Sequence, residues 1–124
     1  MKFYHMKQLC TLFCALLFSN VLLAQVDVGA TSILNPTTPV CGNSNQPIDV
    51  VIFNYSPSTI NFAINNVTVN VSITGASIQT FNSPVISSGS LASGASMVVN
   101  VTPSCNLSAI GTHTFNATTV NFSD

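Results

Sequence analysis

Val67-Thr68-Val69-Asn70-Val71-Ser72-Ile73-Thr74 sets apolar residues at odd positions and polar ones at even positions. Side chains alternate between the two faces of a strand, so this octapeptide reads as a half-buried β-strand. Just before it, Ile60-Asn61-Phe62-Ala63-Ile64 puts its large apolar residues at even positions, and the parity therefore switches across Asn65-Asn66. A one-residue slip sends every side chain to the opposite face, so a bulge or a change of sheet is expected there. Further strand-like runs are Val26 to Leu34, Ile48 to Asn54, Ile78 to Phe81, Met97 to Thr102 and Thr112 to Val120. None repeats with a helical period.

Between these runs stand Asn35-Pro36, Cys41-Gly42-Asn43, Ser56-Pro57-Ser58, Thr74-Gly75, Ser88-Gly89, Ser93-Gly94 and Thr102-Pro103. Gly supplies positive φ and Pro presets a turn, which is the punctuation of hairpins and sandwich corners. Six to seven short strands with such turns in one domain predict an all-β antiparallel sandwich. A β-solenoid competes for a chain so rich in Thr, Ser and Asn, but no rung of fixed length repeats. If Ile48 to Asn54 and Met97 to Thr102 are the second and fifth strands of a sandwich, they are expected to be antiparallel neighbours in one sheet.

Residues 1–24 read as a secretory signal peptide. Lys2 and Lys7 precede the apolar stretch Leu9 to Ala24, 16 residues long, shorter than the roughly 20 needed to span a bilayer. Ala24 fits a cleavage site, with Leu22 larger than usual at the third position before the cut. The domain is then 25–124, and its composition differs sharply: both Lys lie in the leader, there is no Arg, and the acids are Asp27, Asp49 and Asp124. Phosphate backbones and anionic lipid surfaces are bound through Lys and Arg, so nucleic acid and membrane are excluded as partners of the processed chain. Of the 100 remaining residues 40 are Asn, Ser or Thr, yet they alternate with Val, Ile and Phe, which is a pattern of folding.

Cys10 and Cys14 lie in the leader, leaving Cys41 and Cys105. An even count in an exported chain favours a disulfide. Cys41 precedes the second strand and Cys105 follows the fifth, so both fall at the same end of the expected sandwich, where a bridge would staple loops. Cross-linking positions so far apart stabilises by roughly 4 kcal/mol in the chain-entropy view.

The residues for chemistry are sparse. His113, the Asp residues and many Ser could be drawn as a Ser-His-Asp set, but no G-x-S-x-G elbow accompanies them, and His113 in Gly111-Thr112-His113-Thr114-Phe115 reads as a surface or strand-end residue. There is no Glu, so paired carboxylates for glycoside hydrolysis are hard to build; Asp27 and Asp49 read as solvated strand residues. Zinc on two Cys and His113 would lack a fourth ligand, and calcium would lack its D-x-D-x-D-G loop. No catalytic residue, metal or cofactor is expected. N-x-S/T triplets at Asn66, Asn70, Asn100, Asn106, Asn116 and Asn121 follow from composition. Trp is absent, so a sugar-stacking platform is disfavoured; Phe53, Phe62 and Phe115 are expected in the core.

Several segments together resemble an immunoglobulin-like repeat, the cell-adhesion-related domain of bacteria. They are Asp27-Val28-Gly29-Ala30-Thr31, Pro36 through Cys41-Gly42, Val50-Val51-Ile52-Phe53-Asn54, Leu91-Ala92-Ser93-Gly94-Ala95, and Leu107-Ser108 with Gly111-Thr112-His113-Thr114-Phe115-Asn116-Ala117. His113 takes the place of the family's Tyr. The resemblance covers nearly all of 26–122 and implies a spacer or adhesive module of a secreted or outer-surface protein of Gram-negative bacteria, its partners being further domains of a longer protein or a protein or glycan ligand. It transfers no catalytic residue, since its motifs are turn and core positions. The family pattern continues past Phe122-Ser123-Asp124 into a final strand, so the expectation is either a fragment or a sandwich short of an edge strand. Two other readings compete: a pilus-like subunit completed by a partner's donor strand, and a small secreted enzyme or inhibitor.

Overall fold

Alternation governs the strands in the computed structural model, which describes residues 25–37 and 42–121. Among the described residues eight strands run in chain order: β1 (Val28–Asn35), β2 (Asn43–Asn54), β3 (Ile60–Asn61), β4 (Val67–Gly75), β5 (Gln79–Asn82), β6 (Ser90–Leu91), β7 (Ser96–Leu107) and β8 (His113–Asn121). The described residues contain no helix. All pairings are antiparallel, in sheets ordered β1-β2-β7 and β5-β4-β8 with a small β3-β6 ribbon. Odd residues of β4 (Val67, Val69, Val71, Ile73) and even residues of β2 (Ile48, Val50, Ile52) are all buried in one shared core. The fold is all-β, with the arrangement of a β-sandwich.

The expected β2–β7 neighbours are paired, Val50 with Val99 and Ile52 with Met97. Both strands run farther than their alternation suggests, through Pro47 and Pro103. Proline cannot donate to a ladder, and the register slips where these two lie, between Gln46/Ile48 and their partners Cys105 and Thr102. Cys105 is therefore a strand residue opposite Gln46 and only 2% exposed, in place of the loop position expected for it. Cys41, the other half of the anticipated bridge, lies outside the described residues, as do residues 1–24, for which a signal peptide is expected.

The parity switch at Asn65-Asn66 is a change of sheet. β3 is only two residues long, because Asn61 diverts the chain: its side-chain Oδ1 accepts the Ala63 N–H at 3.0 Å and its carbonyl accepts those of Ile64 and Asn65. Phe62 stays buried, while Ile64 is 74% exposed, which corrects the longer strand expected there. Phe53 is a second correction. The register that sends Ile48, Val50 and Ile52 inward sends Phe53 outward, half-buried, with its ring 4.6 Å from that of Tyr55. Phe115 packs against the core but is only half-buried. β6 had no signal: two residues, of which only Leu91 is buried.

Candidate functional site

Asp27 is exposed. Asp49, expected to be solvated, is half-buried and held from both sides: its Oδ2 accepts the Asn35 amide at 2.8 Å and its Oδ1 the Asn100 amide at 2.7 Å. The three residues sit side by side across β1, β2 and β7. One carboxylate thus becomes a cross-strand tie, and charge-assisted hydrogen bonds of this kind are the stronger ones. On the other sheet Asn70 donates to Asn82 at 2.7 Å, linking β4 and β5.

His113 opens β8. Its Nε2 lies 3.1 Å from the carbonyl of Ala109, which can only accept, so Nε2 carries a proton. With the ring neutral, Nδ1 then accepts the Ser77 hydroxyl at 3.1 Å, and Ser77 in turn accepts the Gln79 amide at 2.9 Å. Gln79 also donates to the Asn106 carbonyl at 2.6 Å, and its Oε1 accepts the Asn106 N–H at 3.3 Å. Its amide therefore acts like an extra peptide group bridging β5 to β7, one sheet to the other. The cleft beside it, about 250 Å³, is lined by Ser77, Gln79, Asn106, Ser108 and Ala109. A hydroxyl and an imidazole do meet here. The group orienting the imidazole is a backbone carbonyl where a hydrolytic triad has a carboxylate, and what the arrangement does on its own is tie three strands.

A second polar knot is buried. Asn54, fully enclosed at the end of β2, donates to the carbonyls of Ser58 and Leu91, both at 2.9 Å, and its Oδ1 accepts the Ser56 N–H at 2.9 Å and the Ser56 hydroxyl. Its signal in the sequence was the break of the buried apolar series Ile48, Val50, Ile52 by an Asn at the next inward position. Cys105 is buried within β7, and burial pushes its thiol up from the ordinary value, partly offset by a backbone hydrogen bond. Among the described residues no three His, Cys, Asp or Glu converge as metal ligands.

One feature lies in main-chain geometry. Among the described residues β8 is an edge of its sheet, and a groove of about 280 Å³ runs between it and β1, lined by Ala30 to Ile33 on one bank and Phe115 to Ala117 on the other. At one end the banks are tied, Thr119 Oγ1 donating to the Val28 carbonyl. Comparison with protein families, with curated proteins and with solved structures finds no match.

Proposed function

We propose that this chain is a non-catalytic structural or adhesive module, immunoglobulin-like in topology, of a secreted or cell-surface bacterial protein. The observation that carries this reading is how the polar chemistry is used. Asp49 and His113, the groups a catalyst would need, each serve as ties between strands, and the sheets turn Asn, Ser and Thr outward. Strand order supports the immunoglobulin likeness: β1-β2-β7 against β5-β4-β8 matches the A-B-E and C′-C-F neighbours of such sandwiches. Export rests on Lys2, Lys7 and the apolar run behind them. A Cys41–Cys105 bridge belongs to the same reading. What supports it is the even cysteine count expected of an exported chain.

The test is expression of the full chain in a Gram-negative host, with sequencing of the product's N-terminus and protease shaving of intact cells. The expected product begins near Gln25, lies outside the cytoplasm and gains two thiols on reduction. A cytoplasmic product that retains Met1 would overturn the reading.

A further inference from the structure

Sheet edges offer unpaired N–H and C=O groups to any passing strand, and proteins blunt them with bulges, proline, charge or brevity. Three of the four edges of the two large sheets are blunted in this way. β1 carries two register shifts, between Ala30/Ser32 and Ile33/Asn35, and runs into Pro36. β7 carries Pro103 and three shifts against β2. β5 has four residues and is followed by Pro84. β8 has none of these devices. Its nine residues, HTFNATTVN, keep unbroken register with β4 from Gly75↔His113 to Val67↔Asn121, and contain no proline, glycine, acid, Lys or Arg. Its inward row is also underfilled: Phe115, Ala117 and Thr119 are half-buried, where Val69, Val71 and Ile73 beside them on β4 are fully buried.

We propose that β8 is a self-association edge, whose occupant is the β8 of a second copy, antiparallel across a two-fold axis at Ala117. The strand is self-complementary in that register. Ala117, the smallest residue, meets itself on the axis; Phe115 faces the partner's Thr119; on the outer face Asn116 meets the partner's Thr118 and Thr114 the partner's Val120. Aromatic with β-branched, and amide with hydroxyl, are favourable cross-strand pairs. Because β8 lacks acids and Lys or Arg, bringing it against itself opposes no fixed like charges. The partner strand then stands at the mouth of the groove and covers Phe115. Sheets β5-β4-β8 and their copies join into one six-stranded sheet, a closed isologous dimer. It does not grow into a fibre, because the edges left outside are the blunted ones.

The experiment is sedimentation equilibrium of the full chain over a concentration series reaching about 1 mM, since an interface of one strand edge is small and dissociates readily. The wild type is expected to show monomer and dimer and nothing larger. Asn116→Lys with Thr118→Lys places like charges directly opposite twice and is expected to weaken the dimer at least about tenfold, equivalent to about 1.4 kcal/mol. Asn116→Lys with Thr118→Glu sets Lys against the partner's Glu in the same register and is expected to restore association. Both side chains are exposed, and their β4 neighbours Ser72 and Asn70 are uncharged, so circular dichroism should find both variants folded. A wild type that stays monomeric, a Lys/Lys variant that associates like the wild type, or a Lys/Glu variant as weak as Lys/Lys would each overturn the proposal. So would association lost on adding a foreign strand peptide but unchanged by either pair.

Discussion

Truncating Asn54 to Ala tests whether the buried polar knot holds the corner between β2 and β6. The amide supplies two donors, to the carbonyls of Ser58 and Leu91, and one oxygen that receives the Ser56 N–H and hydroxyl. The loss is not the sum of four bonds. Ser56 Oγ already lies 3.1 Å from the Ser58 carbonyl, so after truncation that hydroxyl can serve Ser58 instead. The Ser56 N–H is left without a partner, and the Leu91 carbonyl loses the amide while keeping its place in the ladder opposite Ile60, in a site where Asn54 is 0% exposed. The orphaned N–H costs about 1–3 kcal/mol and the second bond to the carbonyl about 1, so the variant should lose about 3 kcal/mol. A domain of this size has about 5–15 kcal/mol of stability in all. Since 1 kcal/mol moves Tm by about 4–8 °C here, Tm should fall by about 12–24 °C. With no Trp in the chain, the assay is urea and thermal unfolding followed by circular dichroism, with Asn45→Ala, at an exposed residue, as the reference. A loss under about 1 kcal/mol would overturn this account, because it would mean that water reaches the Ser56 N–H and the corner is not sealed.

Three further outcomes are expected. Gly75 has φ +99°, and a Cβ there would lie 2.2 Å from the Thr112 carbonyl oxygen, so Gly75→Ala should cost more than the roughly 1–3 kcal/mol of left-handed strain alone, measured by urea midpoint. Thr68 is buried with Oγ1 unpartnered, as are Asn66 and Asn121 Oδ1; Thr68→Val removes an orphan hydroxyl at nearly constant shape and should raise stability by about 1 kcal/mol or leave it unchanged. In the reduced chain the unfolded Cys105 thiol ionises near 9.0 and the folded one only at higher pH, because burial opposes the thiolate. Unfolding then releases a proton above pH 9, so stability is level below that pH and falls as pH rises from it toward the folded value. Denaturant midpoints at pH 7, 9 and 10 check this, with Cys105→Ala as the variant that should lose the fall.

Alternation within β4 made the all-β class legible, because a period of two is a local property that each strand carries for itself. The β2–β7 pairing was legible for a related reason: two apolar runs of matching length had a sandwich order to fall into. The parity break at Asn65-Asn66 marked a change of sheet, but its cause, Asn61 capturing the following N–H groups, competes with strand formation through hydrogen bonds that alternation does not register. Phe53 could have been placed outward by counting from Ile52. Hydrophobicity alone sent it inward.

What lay beyond the sequence depends on neighbours distant along the chain. Asp49 reads as a solvated acid until β1 and β7 bring Asn35 and Asn100 to it, 14 and 51 residues away. Gln79 meets Asn106 only when the two sheets close over one end, and His113 meets Ser77, 36 residues away, only when β5 and β8 flank β4. β6 exists because Leu91 finds Ile60 opposite it; two residues cannot announce a strand alone. The poverty of charge and the half-wet strands are properties of composition and local order, and so were readable without the fold. Which strand edges are blunted and which one stands open is a property of register between distant segments, so it takes the assembled sheets to show that β8, among the described residues, keeps a straight, uncharged edge beside an unfilled groove.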